Sequence, residues 1–286
     1  MFSEYLTLYP IPAYVFLALF SLAIGSLLNV FIHRLPIMLQ AQWACQCREL
    51  LSLPVEQTSP VNLFFPRSFC PSCKTTIPFW HNIPILSYLI LRGRCSHCRI
   101  SIPIFYPLVE LLCMVLSVLA AWHFGFNITL VFALLFLWVL LVLCFIDFHH
   151  QLLPDSLTLT LLWLGLIANT QSLFTTLPNA VLSAAGAYLG LWLFIKLFYL
   201  ITGKIGMGNG DFKLFAAFGA WFGWTQLPLI LLVSSITGAI LGITYLKLSK
   251  KTKETPIPFG PFLCVAGLLS LFYGNDFMHW YLNFYI

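Results

Sequence analysis

The chain has 286 residues, of which 60% are hydrophobic and only 8% are charged. Soluble domains carry about 25% charged residues, so this composition excludes an ordinary soluble enzyme and predicts a membrane protein. The formal net charge of +5 comes from loops between apolar segments. Since these loops form no basic face with stacking aromatic partners, we expect no nucleic-acid partner.

Apolar segments long enough to cross a bilayer recur along the whole chain. A helix of roughly 20 apolar residues spans the ~30 Å hydrocarbon core. The predicted spans are 11–33, 104–123, 126–146, 156–175, 178–201, 226–246 and 257–274. A shorter apolar piece at 212–224 lies between the fifth and sixth of these and is counted as an additional span. The sequence therefore predicts an all-α, polytopic protein of about eight transmembrane helices surrounded by lipid.

The positions of the basic residues orient these spans. The first basic residue, Arg34, follows the first apolar span, so we do not expect that span to be a cleaved signal peptide. Seven of the 14 Lys and Arg residues lie in 34–103. The others lie near the loop after the fifth long span and after the sixth. Positive loops stay in the cytoplasm, and eight crossings place all of these groups on that side.

The hydrophilic segment 34–103 divides the chain into three predicted domains. Residues 1–33 form the first transmembrane helix. Residues 34–103 form a cytoplasmic zinc-binding domain. Residues 104–286 form a transmembrane helical domain that carries the candidate catalytic residues.

Two cysteine pairs in the hydrophilic segment have the spacing of a zinc site. Cys70 and Cys73 lie in CPSC, and Cys95 and Cys98 lie in CSHC, with 21 residues between the pairs. Four thiolates complete a tetrahedral shell and leave no position for a catalytic water. A thiol redox pair and incidental cysteines are the alternatives, but a reducing compartment favours metal binding. We predict a structural Zn²⁺ ion.

Four acidic residues lie in or beside apolar segments, and two of them, Asp155 and Glu110, have ordinary structural interpretations. Ionisable groups in membrane spans are costly and are functional candidates by default. Asp155 precedes SLTL, and we predict that it is the N-cap of the following helix. Glu110 lies within the second span, where a hydrogen bond to a neighbouring helix is predicted. A contact with a substrate or a methyl donor is the alternative for Glu110.

Asp147 and Asp211 are the candidates for chemistry. Asp147 lies at the end of the third span, where its charge opposes the helix macrodipole. Asp211 follows the glycine-rich stretch KIGMGNG and could be a simple helix cap. If the two carboxyls face each other, one keeps a proton, and the pair can act as acid and base on a peptide bond. Spacing alone leaves a proton or metal-ion transporter and a structural polar pair open.

Several motifs along the chain resemble those of the type IV prepilin peptidase family. GSLLNVFIHRLP, from Gly25 to Pro36, resembles the N-terminal signature of the family, and PRSFCPSCKTTIPFWHNIPILSYLILRGRCSHC resembles its zinc loop. YPLVELL, IDFHHQLLPDSLTLTLLWLGL, GMGNGDFKLFAAFGAWFG and PFGPFL follow in the family's order. The resemblance covers nearly the whole chain.

The resemblance implies an enzyme of the bacterial inner membrane that acts in type IV pilus biogenesis and type II secretion. Such enzymes cleave the leader of type IV prepilins and pseudopilins on the cytoplasmic side. They then methylate the new N-terminal residue with S-adenosylmethionine. The resemblance implies that Asp147 and Asp211 are the catalytic pair, that the four loop cysteines bind zinc, and that Asp155 lies outside the pair.

Two other functions are weighed against this one. A proton-coupled transporter would use Asp147, Asp211 and Glu110 as a relay. A non-catalytic platform for pilus assembly would keep the fold without needing both aspartates. Methyl transfer is implied by the resemblance alone, since no residue pattern points to it independently.

Overall fold

The computed structural model describes residues 10–54, 62–203, 206–249 and 258–285, and every structural statement below refers to them. The helices are α1 (Pro10–Leu50), α2 (Leu86–Ile90), α3 (Phe105–Phe124), α4 (Ile128–His150), α5 (Asp155–Asn169), α6 (Leu177–Thr202), α7 (Asn209–Phe222), α8 (Leu227–Ser249) and α9 (Gly260–Tyr285). A 3₁₀ turn covers Phe79–Asn82. These described residues contain isolated β-bridges but no named strand, which confirms the all-α fold.

Each predicted span overlaps one of these helices, although 156–175 extends six residues beyond Asn169, the end of α5, and residue 257 lies outside the described residues. Six of them, α1, α3, α4, α6, α8 and α9, are long and apolar enough to cross a membrane. The other two are α5, with 15 residues, and α7, with 14. At 1.5 Å per residue they are about 22 and 21 Å long, which is shorter than the ~30 Å hydrocarbon core. The polytopic helical fold is therefore confirmed, with two short helices among the long ones.

Helix α1 is longer than its apolar segment. The predicted span ends at residue 33, but the helix continues to Leu50. The extension LPIMLQAQWACQCREL is rich in Leu, Met, Gln and Ala, which favour helices even where the segment is no longer uniformly apolar. Cys45 and Cys47 lie on this extension. The hydrophilic segment thus begins as a continuation of the first transmembrane helix.

The chain forms two compact units, Met1–Phe126 and Asn127–Ile286. In the first unit, α1 packs along α3. Gly25 allows the two backbones to approach closely, since a Cβ at this position would lie 2.7 Å from the Cα of Glu110. One turn further along α1, Asn29 Nδ2 donates a 3.0 Å hydrogen bond to the carbonyl of Tyr106 on α3.

Two charged side chains fasten the hydrophilic segment to these helices. The Arg34 guanidinium donates hydrogen bonds to the carbonyls of Asn62, Leu63 and Pro66. Glu110 Oε2 accepts a 2.8 Å hydrogen bond from the backbone N–H of Ile85. Ile85 is the N-cap residue of α2, so the predicted hydrogen bond to a neighbouring helix is made to the start of this short helix and anchors the loop.

The second unit is built around α7. From Asp211 to Phe222 every residue of this helix is buried except Lys213, which is partly exposed. Helices α5 and α6 pack along it, and Phe136 of α4 contacts the rings of Phe218 and Trp221. A helix that is apolar on nearly all sides belongs in an interior, so α7 is the central element of this unit.

Buried side chains satisfy the C-terminal end of α7. The last carbonyls of a helix have no partner within it. Here Asn169 Nδ2 donates to the carbonyls of Ala220 at 2.7 Å and Trp221 at 3.1 Å. Ser183 Oγ donates to the carbonyl of Gly219 at 2.7 Å. The short helix is thereby held at a defined depth between α5 and α6.

The prediction that Asp155 is an N-cap is wrong. Pro154 occupies the cap position in an extended conformation, and Asp155 is the first residue of α5, with no capping bond from its side chain. Asp155 Oδ1 instead accepts a 2.6 Å hydrogen bond from Lys213 Nζ on α7. Cap preferences describe the local backbone, so they do not reveal a partner 58 residues away in the sequence.

Candidate active site

Asp147 lies in the last turn of α4 and is only 5% exposed. The helix ends because Gln151 adopts a left-handed conformation, with φ 53° and ψ 43°, and its N–H bonds to the carbonyl of Asp147 at 2.9 Å. Gly260, at the start of α9, lies directly against the carboxylate. A Cβ at Gly260 would be 2.5 Å from Asp147 Oδ2.

Asp211 lies in the first turn of α7 and is 7% exposed. Its Oδ2 accepts a 3.2 Å hydrogen bond from the backbone N–H of Gly208, the N-cap residue. This is the capping role that the sequence left open. This bond involves only Oδ2. The other oxygen, Oδ1, is buried and has no hydrogen-bond partner among the described residues.

The two carboxylates lie in one neighbourhood of the second unit. Leu153, in the turn between α4 and α5, contacts both flanking glycines: a Cβ at Gly210 would lie 2.7 Å from its Cβ, and a Cβ at Gly260 would lie 3.2 Å from its Cδ1. Gly210 precedes Asp211, and Gly260 touches Asp147. Contacts with the same leucine therefore bring the surroundings of the two acids together.

One buried oxygen of each acid, Asp147 Oδ2 and Asp211 Oδ1, has no hydrogen-bond partner in the described part of the chain. Buried polar atoms in native proteins are nearly always paired, so these two atoms make the pair a candidate site for a polar ligand. A carboxylate accepts a hydrogen bond from a water molecule, and a carboxylic acid donates one to a carbonyl oxygen.

The four predicted cysteines come together in the first unit. Their sulfurs all lie within 4.8 Å of one another, and Sγ of Cys70 is 3.7 Å from Sγ of Cys98. Four sulfurs about 2.3 Å from a tetrahedral zinc ion lie about 3.8 Å apart. The donor set and its dimensions therefore fit Zn²⁺, and Cys70, Cys73, Cys95 and Cys98 are the residues that would hold it.

The two cysteine pairs have the same local fold. In the first, the N–H of Cys70 bonds to the carbonyl of Thr75, and Lys74 has a positive φ of 57°. In the second, Cys95 bonds to Ile100 in the same way, and Arg99 has a φ of 58°. Each turn folds its two sulfurs towards a common point, as a zinc knuckle does.

Hydrogen bonds favour the thiolate form at two of these four cysteines. Bonds from the side chain and the backbone of Thr75 lower the pKa of the Cys73 thiol to about 6. Backbone bonds from Cys98 and His97 lower the pKa of Cys95. A bond from the backbone of Ile100 is outweighed at Cys98 by burial and by bonds with Cys95, Cys70 and Cys73, which raise the pKa of that thiol to about 11. The thiolate is the form that binds metal, so the local hydrogen bonds favour it at Cys73 and Cys95.

Two residues of the site were not assigned a role from the sequence. Gly260 lies within PFGPFL, a motif that resembles one of the family but gives no reason for its glycine. Lys213 lies two residues after Asp211, where the sequence indicates only a cytoplasmic charge. Glycine is unfavourable within a helix, so a glycine between two prolines at the start of a predicted span indicates that Gly260 has a special role. Nothing in the sequence around Lys213 indicates that its partner is Asp155.

Comparison with known proteins identifies the family. Residues 134–243 match the type IV leader peptidase family, and residues 19–124 match the bacterial peptidase A24 N-terminal domain. The chain belongs to the type IV leader peptidase family. This finding confirms the resemblance drawn from the sequence motifs. Residues 134–243 contain both aspartates, and residues 19–124 contain the four cysteines.

Full-length relatives in this leader peptidase family carry one name. A protein of Legionella pneumophila is 60% identical over 279 residues, which are 97% of each chain. Proteins of Stutzerimonas stutzeri and Neisseria gonorrhoeae are 52% and 45% identical, over 98% and 91% of this chain and 98% and 90% of theirs. All three are named prepilin leader peptidase/N-methyltransferase. No solved structure matches the chain.

Proposed function

We propose that this protein cleaves the leader of type IV prepilins and pseudopilins and then N-methylates the new N-terminal residue, serving type IV pilus biogenesis and type II secretion. The observation that carries the proposal is the buried pair Asp147 and Asp211, each with an oxygen that has no hydrogen-bond partner among the described residues. The pair lies in a chain that aligns over nearly its full length with proteins named for this activity.

The acid pair supplies an aspartic-protease mechanism. Two neighbouring carboxyls share one proton, because like charges this close do not both ionise. The carboxylate accepts a proton from a water molecule, whose oxygen attacks the scissile carbonyl carbon. The carboxylic acid donates a hydrogen bond to the carbonyl oxygen. Breaking the C–N bond then moves a proton to the departing amine, so that one water is consumed for each peptide bond.

The second activity is methyl transfer from S-adenosylmethionine as a co-substrate. The amine released by cleavage attacks the sulfonium methyl group and loses a proton, which leaves S-adenosylhomocysteine. The relatives' names include this activity, and it is the reason to propose it here.

We place the enzyme in the bacterial inner membrane, with the cysteine-rich loop in the cytoplasm. The basic residues of that loop favour the cytoplasmic side. Four thiolates complete a zinc shell, so the ion serves to fold the loop and takes no part in hydrolysis. The loop then helps to present the substrate or to hold the methyl donor.

Purified protein in lipid vesicles tests the proposal directly. It would be incubated with a prepilin and with S-adenosylmethionine labelled in its methyl group, and the products read by mass spectrometry. We expect a pilin shortened by its leader and carrying one labelled methyl group on its N-terminus. An intact prepilin, together with proton uptake by the same vesicles, would favour the transporter and contradict the proposal.

A further inference from the structure

An ion pair joins the two helices that begin beside the candidate active site. Lys213 Nζ of α7 lies 2.6 Å from Asp155 Oδ1 of α5. The lysine side chain is 26% exposed and the aspartate side chain 60% exposed. Exposed pairs of this kind usually contribute little to folding stability, so stability alone gives little reason for the contact.

The chain positions of the two partners suggest another role. Lys213 follows Asp211 by two residues, within the same turn of α7. Asp155 follows the turn that leaves Asp147, which contains the left-handed residue Gln151 and the buried Leu153. The ion pair therefore joins the segment that runs from Asp147 to Asp155 with the first turn of α7, which carries Asp211. Leu153 of the first segment lies against Gly210 of the second.

The opposite ends of α7 are held by different means. At its C-terminal end, Asn169 and Ser183 bond to the last carbonyls. At its N-terminal end, Lys213 Nζ donates a hydrogen bond to Asp155 at the start of α5. A helix fixed at one end can still pivot at the other, and Asp211 lies at the end that the ion pair restrains.

We propose that the Asp155–Lys213 ion pair is a positioning device that keeps Asp211 in register with Asp147, and this role rests on the proposed peptidase function. Lys213 acts through geometry, since its ammonium group is bonded to Asp155 and the Asp211 carboxylate is bonded to Gly208. Neither Asp155 nor Lys213 touches the reacting atoms.

The test measures kcat and KM for leader cleavage in Asp155→Asn, Lys213→Met and the exchanged double variant Asp155→Lys with Lys213→Asp. A displacement of about 1 Å at a catalytic group costs up to about a hundredfold in rate, so we expect each single variant to lose at least about tenfold in kcat. KM and the melting temperature should stay near those of the unmodified protein. The exchanged pair should recover most of the lost kcat.

The controls separate this role from others. Lys196→Met removes an exposed lysine that lies over the ring of Trp192 and should cleave normally. Lys213→Arg keeps the ion pair and should retain most of the activity. Normal kcat in both single variants would overturn the positioning role, and so would a loss confined to KM, which would make Lys213 a substrate contact. Failure of the unmodified protein to cleave any prepilin would overturn the proposed function itself.

Discussion

Gly260 shows how one missing side chain shapes the candidate site. Its Cα lies so close to Asp147 that a methyl group would be 2.5 Å from Oδ2, well inside van der Waals contact. We predict that Gly260→Ala displaces the Asp147 carboxylate and lowers the cleavage rate by about a hundredfold, the cost of a misplacement near 1 Å. The rate of leader cleavage by purified protein measures this.

Gly190 provides the matched control for this substitution. It lies within α6, and a Cβ there would meet no atom within 4 Å. Gly190→Ala should therefore cleave at the normal rate and melt at or slightly above the normal temperature, since alanine favours helices. Equal rates in the two alanine variants would show that close packing on Asp147 does not matter for cleavage.

Residue types alone predicted the candidate site in part. Carboxylates are costly in apolar segments and cysteine pairs have a characteristic spacing, so Asp147, Asp211 and the four loop cysteines could be picked out one by one. The ion pair of Asp155 with Lys213 could not, because both residues also have common local explanations. From the sequence, Asp155 is explained as an N-cap and Lys213 as a cytoplasmic charge, and only the fold shows that they form a pair.

Asn169 matters at the scale of a whole element, because its side chain bonds to the carbonyls at the C-terminal end of α7. Its side chain donates to two carbonyls of α7 and accepts N–H bonds from Phe174 and Thr175, both at 3.0 Å. We predict that Asn169→Ala, which leaves these groups unpaired, lowers stability by about 2 kcal/mol or more. That loss corresponds to a fall of roughly 5 °C in melting temperature, measured in detergent micelles.

The exposed Asn283 on α9 is the control for this change. Asn283→Ala should leave the melting temperature within about a degree of normal, because surface substitutions away from special features have small effects. If Asn169→Ala melted like Asn283→Ala, the buried bonds at the end of α7 would not be what holds the helix.

The cysteine-rich loop is a second element with its own test. Because four thiolates fit one tetrahedral ion, elemental analysis should find about one zinc per chain. Cys73→Ser should lose most of this zinc and make the loop more sensitive to proteases, since metal binding and folding are coupled in such small domains. Cys47→Ser, an exposed position on α1, should keep its zinc.

A brief chelation experiment shows whether that metal is structural. Removal of zinc should loosen the loop without abolishing peptide hydrolysis of a substrate that still binds, because the ion is not part of the acid pair. Immediate loss of the chemical step in a protein that remains folded would point to a catalytic metal instead.

At the scale of the whole molecule, the neighbouring acids determine the number of crossings in the second unit. Asp147 lies at the end of α4 and Asp211 at the start of α7, so both must be on one side of the membrane. This requires both intervening helices to cross, including the 15-residue α5. If α5 did not cross, α6 would carry Gly203 and the start of α7 to the opposite side.

Reporter fusions test this topology. Alkaline phosphatase needs disulfides and is active only outside the cytoplasm. We predict that phosphatase fused after Ser172 is active and that phosphatase fused after Gly203 is inactive, with both fusions present in equal amounts by immunoblot. High activity after Gly203 would contradict the eight-helix arrangement.

Most of the fold followed from the sequence because the bilayer imposes a simple length and polarity rule. The predicted spans found their helices, including the short α7 before Trp224. The rule did not predict the end of α1, because the segment after Arg34 still favours a helix although it is no longer uniformly apolar. It also could not find side chains that bond across the fold, such as Glu110 to Ile85, because these depend on packing rather than on local composition.

The most direct measurement of the central claim is leader cleavage by Asp147→Asn and Asp211→Asn, each compared with Asp276→Asn, an exposed aspartate on α9. Methylation of a pilin that has already been cleaved reports whether each variant is folded, since this step needs no peptide hydrolysis. We predict that both site variants lose at least about a thousandfold in cleavage rate and still methylate, while Asp276→Asn does both normally. Normal cleavage by either site variant would contradict the account.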